Sequence, residues 1–208
     1  FNVPGLTVPQ MLGKKVSYNL EDTTWIGNLA KSTYAIAVKA DSPINSLADL
    51  CALGRPAKLS DTGPSSTSSV TAKIAMSLID CPIQNVTGYK GSSQTIIAVM
   101  RGEVDATLKP ISSLRKYVAS GDMKFIVTFE NKASLEGVPS SRDLGHDAFE
   151  KLTLYRIVGA PPGLPKEIAD KLSDALMRAA NSPAVQEWSK KTKKPLDPID
   201  GEAATVLM

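Results

Sequence analysis

Between residues 32 and 129 short apolar runs alternate with amphipathic stretches, and this alternation limits the possible folds more than any other feature of the chain. Ser32 to Ala40 is rich in strand formers and is closed by the turn residues Asp41, Ser42 and Pro43. Ser46 can cap a short helix over Leu47 to Cys51, after which Gly54, Arg55 and Pro56 break the chain before a strand at Ala57 to Ser60. A helix follows in which Val70, Ile74 and Leu78 recur at helical spacing and are expected on the buried face, ending at Asp80, Cys81 and Pro82. Further strands are expected at Gln84 to Gly88, Glu103 to Leu108 and Met123 to Phe129, with helices from Gln94 to Met100 and from Pro110 to Ser120 between them. Strands that alternate with helices through short connections, without a hairpin signal, indicate the α/β class with a parallel or mixed sheet. Later come a strand within Lys151 to Ala160 and a helix over Lys166 to Asn181, with Ile168, Leu172 and Leu176 expected inside. Pro183 to Lys191 should form another, with Val185 and Trp188 as anchors.

Two strand-to-helix junctions carry unusual chemistry. Seven of the ten residues from Ser60 to Ser69 are Ser or Thr, more than one helix cap requires. The first turn of a helix has backbone N–H groups without partners and a partial positive charge, so small hydroxyl residues there suit an approaching carboxylate. Thr62, Gly63, Ser65, Ser66 and Ser69 are the candidate contacts at this junction, although capping alone would also explain some of them. The second junction, Gly88 to Ser93, adds a lysine, and Tyr89, Lys90, Gly91 and Ser92 are its candidates. In open α/β sheets ligands sit at the carboxyl ends of strands, where both loops fall. Thr107 and Lys109, near the carboxyl end of their strand, are expected to face the same place. Glu103 and Asp105 alternate along that strand and would share a face, yet nothing suggests the paired acid and base of a catalyst.

Composition excludes several classes. With 42% hydrophobic and 22% charged residues the chain is globular rather than disordered. Net charge is +3, and the densest basic run (Lys190, Lys191, Lys193, Lys194) lacks interleaved aromatics, so it reads as a solvated helix end and no nucleic-acid partner is expected. His146 is the only histidine and the two cysteines lack ligand spacing, so no metal and no cofactor are expected. Cys51 and Cys81 each follow a helical run at one end of the same region, which permits a disulfide, while two buried free thiols are the commoner arrangement. No run approaches the length of a membrane span, and the chain begins at Phe1 and ends in an incipient helix, as a fragment of a longer protein would.

Taken in order, the strings NLEDTTWIG (19–27), PINSLADL (43–50), the hydroxyl loop, GYKGS (88–92), RGEVDA (101–106), ASGDMK (119–124), VPSSRDLG (138–145) and GAPPGLP (159–165) resemble the solute-binding receptors of tripartite tricarboxylate transporters, the Bug-type receptors. The resemblance covers most of the chain. It implies a type II periplasmic-binding-protein fold with two α/β lobes joined by two crossover strands, residues 1–40 with 155–208 forming one and 41–154 the other. The implied function is periplasmic capture of a small organic acid (a di- or tricarboxylate or an aromatic acid) between the lobes by a monomer without enzymatic activity, and its delivery to membrane transporter subunits. The family's first strand and glycine-rich loop would precede Phe1. Pro64 stands where the family usually has glycine, and Ser69 where it often has histidine. Two alternatives share the fold: a sensor that passes occupancy to a kinase, and a serine hydrolase with Ser65 or Ser66 as nucleophile and Lys73 or Lys90 as base.

Overall fold

A computed structural model describes the backbone of residues 3–11, 13 and 15–208, with side chains from Thr7 onward. In chain order the elements are α1 (Val3–Met11), β1 (Thr24–Ser32), β2 (Tyr34–Lys39), α2 (Leu47–Cys51), β3 (Ala57–Ser60), α3 (Thr67–Ser77), β4 (Ile83–Val86), α4 (Ser92–Met100), β5 (Ala106–Pro110), α5 (Ile111–Ala119), β6 (Met123–Thr128), a 3-10 turn (Asp147–Lys151), β7 (Leu154–Ala160), α6 (Lys166–Ala180), α7 (Pro183–Thr192) and α8 (Gly201–Leu207). They form two compact units, Thr33–Thr153 and Phe1–Ser32 with Leu154–Met208.

The contiguous unit is built on a five-stranded sheet of order β4-β3-β5-β2-β6. Strand β3 runs parallel to β4 and β5, whereas β2 is antiparallel to both β5 and β6. Four strands therefore end on one edge, and the loops that follow them lie side by side there. The α/β class read from the alternation holds, and the sheet is mixed. Sequence reading assigned residues 33–40 to the other unit; they lie in this one because β2 is hydrogen-bonded on both sides within its sheet. Its core joins Ala35 and Ala37 of β2 to Ile96 and Val99 of α4, Leu114 of α5 and Met123 of β6.

Local signals explain most element ends. The Ser46 hydroxyl accepts from Asp49 N at 3.1 Å and starts α2 where expected. Helix α3 begins at Thr67, capped by Ser66 Oγ, which accepts from Ser69 N. Its buried face is Thr71, Ala72, Ala75 and Met76, not the expected Val70, Ile74 and Leu78; Leu78 is exposed. The small alanines let the helix close on the sheet, and Ala72 and Met76 satisfy the same i, i+4 spacing. Strand β5 begins only at Ala106, so Glu103 and Asp105 do not alternate along it. Asp105 instead takes a bidentate contact from Arg55 (2.7 and 2.9 Å) and a bond from Lys58 N at 2.8 Å. Arg55 thereby holds the Asp105 carboxyl below its usual range. Cys51 and Cys81 form a disulfide that ties the end of α2 to the turn after α3.

The second unit pairs β1 with β7 in antiparallel fashion, and Asn28 and Ile199 form a further bridge (Asn28 N to Ile199 O 2.9 Å). Strand β1 was not foreseen: TWIGNLAKS lacks strict alternation, and its buried Asn28 breaks the apolar pattern while donating to Asp197 O at 2.8 Å. Trp25 is buried with Ile157 and Ala204. Trp188 was expected to anchor α7 but is 47% exposed, with Lys194 Nζ 5.4 Å from its ring centroid. Ile168 and Leu172, expected on the buried face of α6, are also about half exposed, whereas Leu176, expected with them, does lie against β1. There the backbone approaches closely. A Cβ at Gly27 would lie 2.6 Å from Ile199 O and 2.9 Å from Leu176 Cδ2. Gly27→Ala should therefore cost about 2–3 kcal/mol through forced displacement of this strand-like segment, read as a lower urea midpoint; an unchanged midpoint would show that the 199–201 segment yields freely.

Among the described residues no helix is long and apolar enough to cross a membrane, and no group of His, Cys, Asp and Glu could hold a metal ion.

Candidate functional site

The loops after β3 and β4 meet at the carboxyl edge of the contiguous unit. Asp61 N donates to Val86 O at 2.8 Å and Gly88 N to Thr62 O at 3.4 Å, so the 61–66 and 87–91 segments are fixed to each other. Each leads into a helix whose first turn has amides beyond the reach of intrahelical acceptors. In α3 the Ser66 cap takes Ser69 N and leaves those of Thr67 and Ser68 at the tip. In α4 the cap position is Gly91, with no side-chain cap, and its carbonyl accepts from Gln94 N and Thr95 N. A Cβ added at Gly63, Gly88 or Gly91 would meet nothing within 4 Å, so open space faces both loops.

Beneath the first loop lies a buried ion pair. Lys109, at the end of β5, donates to Asp61 Oδ2 at 3.3 Å and to Ser68 Oγ at 2.9 Å. The two charged side chains are only 3% and 4% exposed. Burial pushes the Lys109 ammonium below the usual lysine value, and Asp61 beside it opposes the shift. Asp61 Oδ1 in turn accepts from Thr62 N at 2.7 Å and from the Ser66 hydroxyl. The chain's own carboxylate thus occupies part of the donor set that the hydroxyl loop offers.

The candidate residues divide by what they touch. Ser65 is exposed at the loop tip, and Thr62 and Gly63 are half-buried beside it. Ser66 is committed to the cap and to Asp61. Ser69 is wholly buried, where its hydroxyl accepts from Asn85 Nδ2; it supports the helix and does not face the open edge. Thr107 is likewise buried, donating to Ser60 O at 3.3 Å across the sheet. On the second loop Lys90 and Ser92 are exposed, and Lys90 N donates to Gln94 Oε1 at 2.9 Å. Tyr89 packs against the sheet core with its hydroxyl 3.5 Å from Glu103 Oε2; burial, with Glu103 adding to it, raises the phenol's pKa. The structure therefore brings Thr62, Gly63, Ser65, Lys90, Gly91 and Ser92 to the open edge and places Lys109 just behind it. Asp61 and Ser68 were missed by sequence reasoning. An acid inside a hydroxyl run was visible, but its lysine stands 48 residues away and is brought near only by the β3–β5 pairing.

Elsewhere, in the discontinuous unit, a cavity of about 540 Å³ is lined by Trp25, Lys166, Asp170, Asp174, Asp200 and Glu202. Its carboxylates would repel an acidic guest. For the hydrolase alternative, the serine within reach of a lysine is Ser68, held by Lys109, rather than Ser65 or Ser66.

The family model of the tripartite tricarboxylate transporter family receptor matches residues 2–206. The chain belongs to this receptor family. Among curated relatives it is similar to a UPF0065 protein of Cupriavidus necator encoded in the gbd 5' region, 27% identical over 173 residues that make up 81% of this chain and 52% of that one. A UPF0065 protein of Pseudomonas sp. strain P51 is 24% identical over 203 residues, 91% of this chain and 58% of that one. The chain thus spans a little over half the length of these relatives. Its fold is similar to that of MatC of Rhodopseudomonas palustris with bound malate (TM-score 0.76, 20% identity, 88% of this chain and 64% of that chain), and of a second R. palustris protein with adipate (TM-score 0.75, 20% identity, 91% and 65%). A TctC solute-binding protein from Polaromonas covers all of this chain and 72% of its own, with a TM-score of 0.74 at 18% identity. The fold is accordingly the type II periplasmic binding fold, the class expected from the motif order.

Proposed function

We propose that this protein is a periplasmic, nonenzymatic receptor that binds a small organic acid at the edge formed by the 62–66 and 88–92 loops. It acts as a monomer and hands its guest to a membrane transporter of the tripartite tricarboxylate type. The observation that carries this reading is the juxtaposition of two helix starts, tied together by Gly88 N and Thr62 O, with open space before both. Amides of the first turns, the Ser65 hydroxyl and the Lys90 ammonium are the donors a carboxylate needs. Thr62, Gly63, Gly91 and Ser92 shape the rim. Malate and adipate, held by two receptors of the same fold, define the first acids to test. The disulfide accords with an oxidising compartment. The hydrolase reading loses support because the Ser66 hydroxyl is engaged by Asp61 and by Ser69 N.

A panel of C4 to C6 dicarboxylates, tricarboxylates and aromatic acids should include at least one that raises the melting temperature, by about 2.7 kcal/mol of linkage when present at a hundred times its Kd. Ser65→Asp should abolish that stabilisation while leaving the unliganded melting temperature within about 1 °C, since Ser65 is exposed and makes no structural bond that the substitution removes. Undiminished affinity in this variant would take the first loop out of the site. Covalent labelling by a serine-directed probe, with no acid stabilising the protein, would favour the hydrolase.

A further inference from the structure

The buried pair has a consequence for which acids fit. Lys109 lies beneath the first loop, and its charge is met by Asp61 at 3.3 Å, both side chains being almost wholly out of water. Its other partner is Ser68, half-buried in the first turn of α3, whose hydroxyl accepts from Nζ at 2.9 Å and keeps its own proton to donate. The first loop therefore offers hydroxyl and amide donors over a pair with no net charge. Lys90, exposed on the second loop, has no such acid against it among the described ion pairs. The two halves of the edge thus differ in charge.

We propose that the Asp61–Lys109 pair sets the charge preference of this edge, so that it selects an acid with one carboxylate and an uncharged polar end, an amide or a hydroxyl, over the corresponding dicarboxylate. The inference rests on the receptor reading above. The carboxylate goes to Lys90 and the start of α4; the uncharged end takes the Ser68 proton at the start of α3. A second carboxylate placed by Ser68 would gain from Lys109 but meet the Asp61 charge directly behind it, and the two largely cancel. Asp61 and Lys109 act here as positioning residues, through Ser68 and through the field at the loop, without touching the guest.

Affinities of succinate and its monoamide succinamate, and of adipate and adipamate, measured by calorimetry at neutral pH, test this. The unchanged protein binds each monoamide more tightly than its diacid, and tighter binding of the diacids overturns the inference. Asp61→Asn leaves the lysine charge uncompensated and shifts the ratio toward the diacid by about tenfold or more, and Lys109→Met leaves the acid uncompensated and shifts it the other way. The double variant, again without net charge, returns the ratio toward that of the unchanged protein. Each single variant is decisive by itself, so loss of folding in one leaves the other to answer. Acids that bind with a diacid-to-monoamide ratio indifferent to these charges would overturn the inference and leave the receptor reading standing. If no acid or monoamide binds the unchanged protein, both fall.

Discussion

Lys109→Met lowers the unfolding free energy by about 3–5 kcal/mol in urea titration, because it leaves the Asp61 carboxylate buried without its cation. Asp61 keeps Thr62 N and the Ser66 hydroxyl, but these neutral donors do not offset a full charge in a site only 4% exposed. The comparison that identifies the cause is the double variant Asp61→Asn with Lys109→Met. Removing both charges eliminates the desolvation penalty together with the attraction, so more than half of the lost stability should return. Equal losses in the single and double variants would show that packing of the lysine stem, rather than the uncompensated charge, is what matters. Stability equal to that of the unchanged protein in Lys109→Met would mean that water reaches Asp61 and that the pair is not buried in solution.

Loss of the Cys51–Cys81 bridge should have a comparable effect. The bridge closes a loop of about 30 residues that contains β3 and all of α3. On the chain-entropy account, opening it returns about 3–4 kcal/mol of freedom to the unfolded chain, which for a protein of this size corresponds to a fall in melting temperature of roughly 10 °C. Cys51→Ala with Cys81→Ala, and the reduced unchanged protein, each compared with the oxidised unchanged protein, measure it. A shift under about 2 °C would mean that the reduced unfolded state already keeps this segment compact. Because the hydroxyl loop lies inside the bridged segment, reduction should also weaken acid binding, and binding should recover on reoxidation.

How much of this was legible before folding depends on the range of the interaction. The Ser46 cap, the β3 boundaries at Ala57 and Ser60, and the helix end at Gly102 (φ +73°) are decided by neighbours within a few residues, and the chain states them directly. The hydroxyl loop and the lysine loop were recognisable for the same reason, as helix starts without enough apolar residues to be core. What the chain did not state was which way a face turned. Val70, Ile74 and Leu78 have the spacing of a buried stripe, yet Ala72 and Met76 have it too, and only the sheet beneath chose between them. Ile168 and Leu172 follow an equally good pattern on α6 and stay half exposed. Ser69 and Thr107 looked like ligand contacts because their residue type suits one; their burial against Asn85 and Ser60 is a matter of register.

Local chemistry therefore settled the order of strands and helices from β2 to β6, the α/β class and the positions of the two hydroxyl- and lysine-bearing helix starts, since each depends on propensity, capping and turns that act over three or four residues. Tertiary pairing decided the charge beneath the hydroxyl loop. Asp61 and Lys109 are far apart along the chain and become a neutral pair only because β3 and β5 lie side by side as parallel neighbours in the mixed sheet, and electrostatic energy depends on that distance in space.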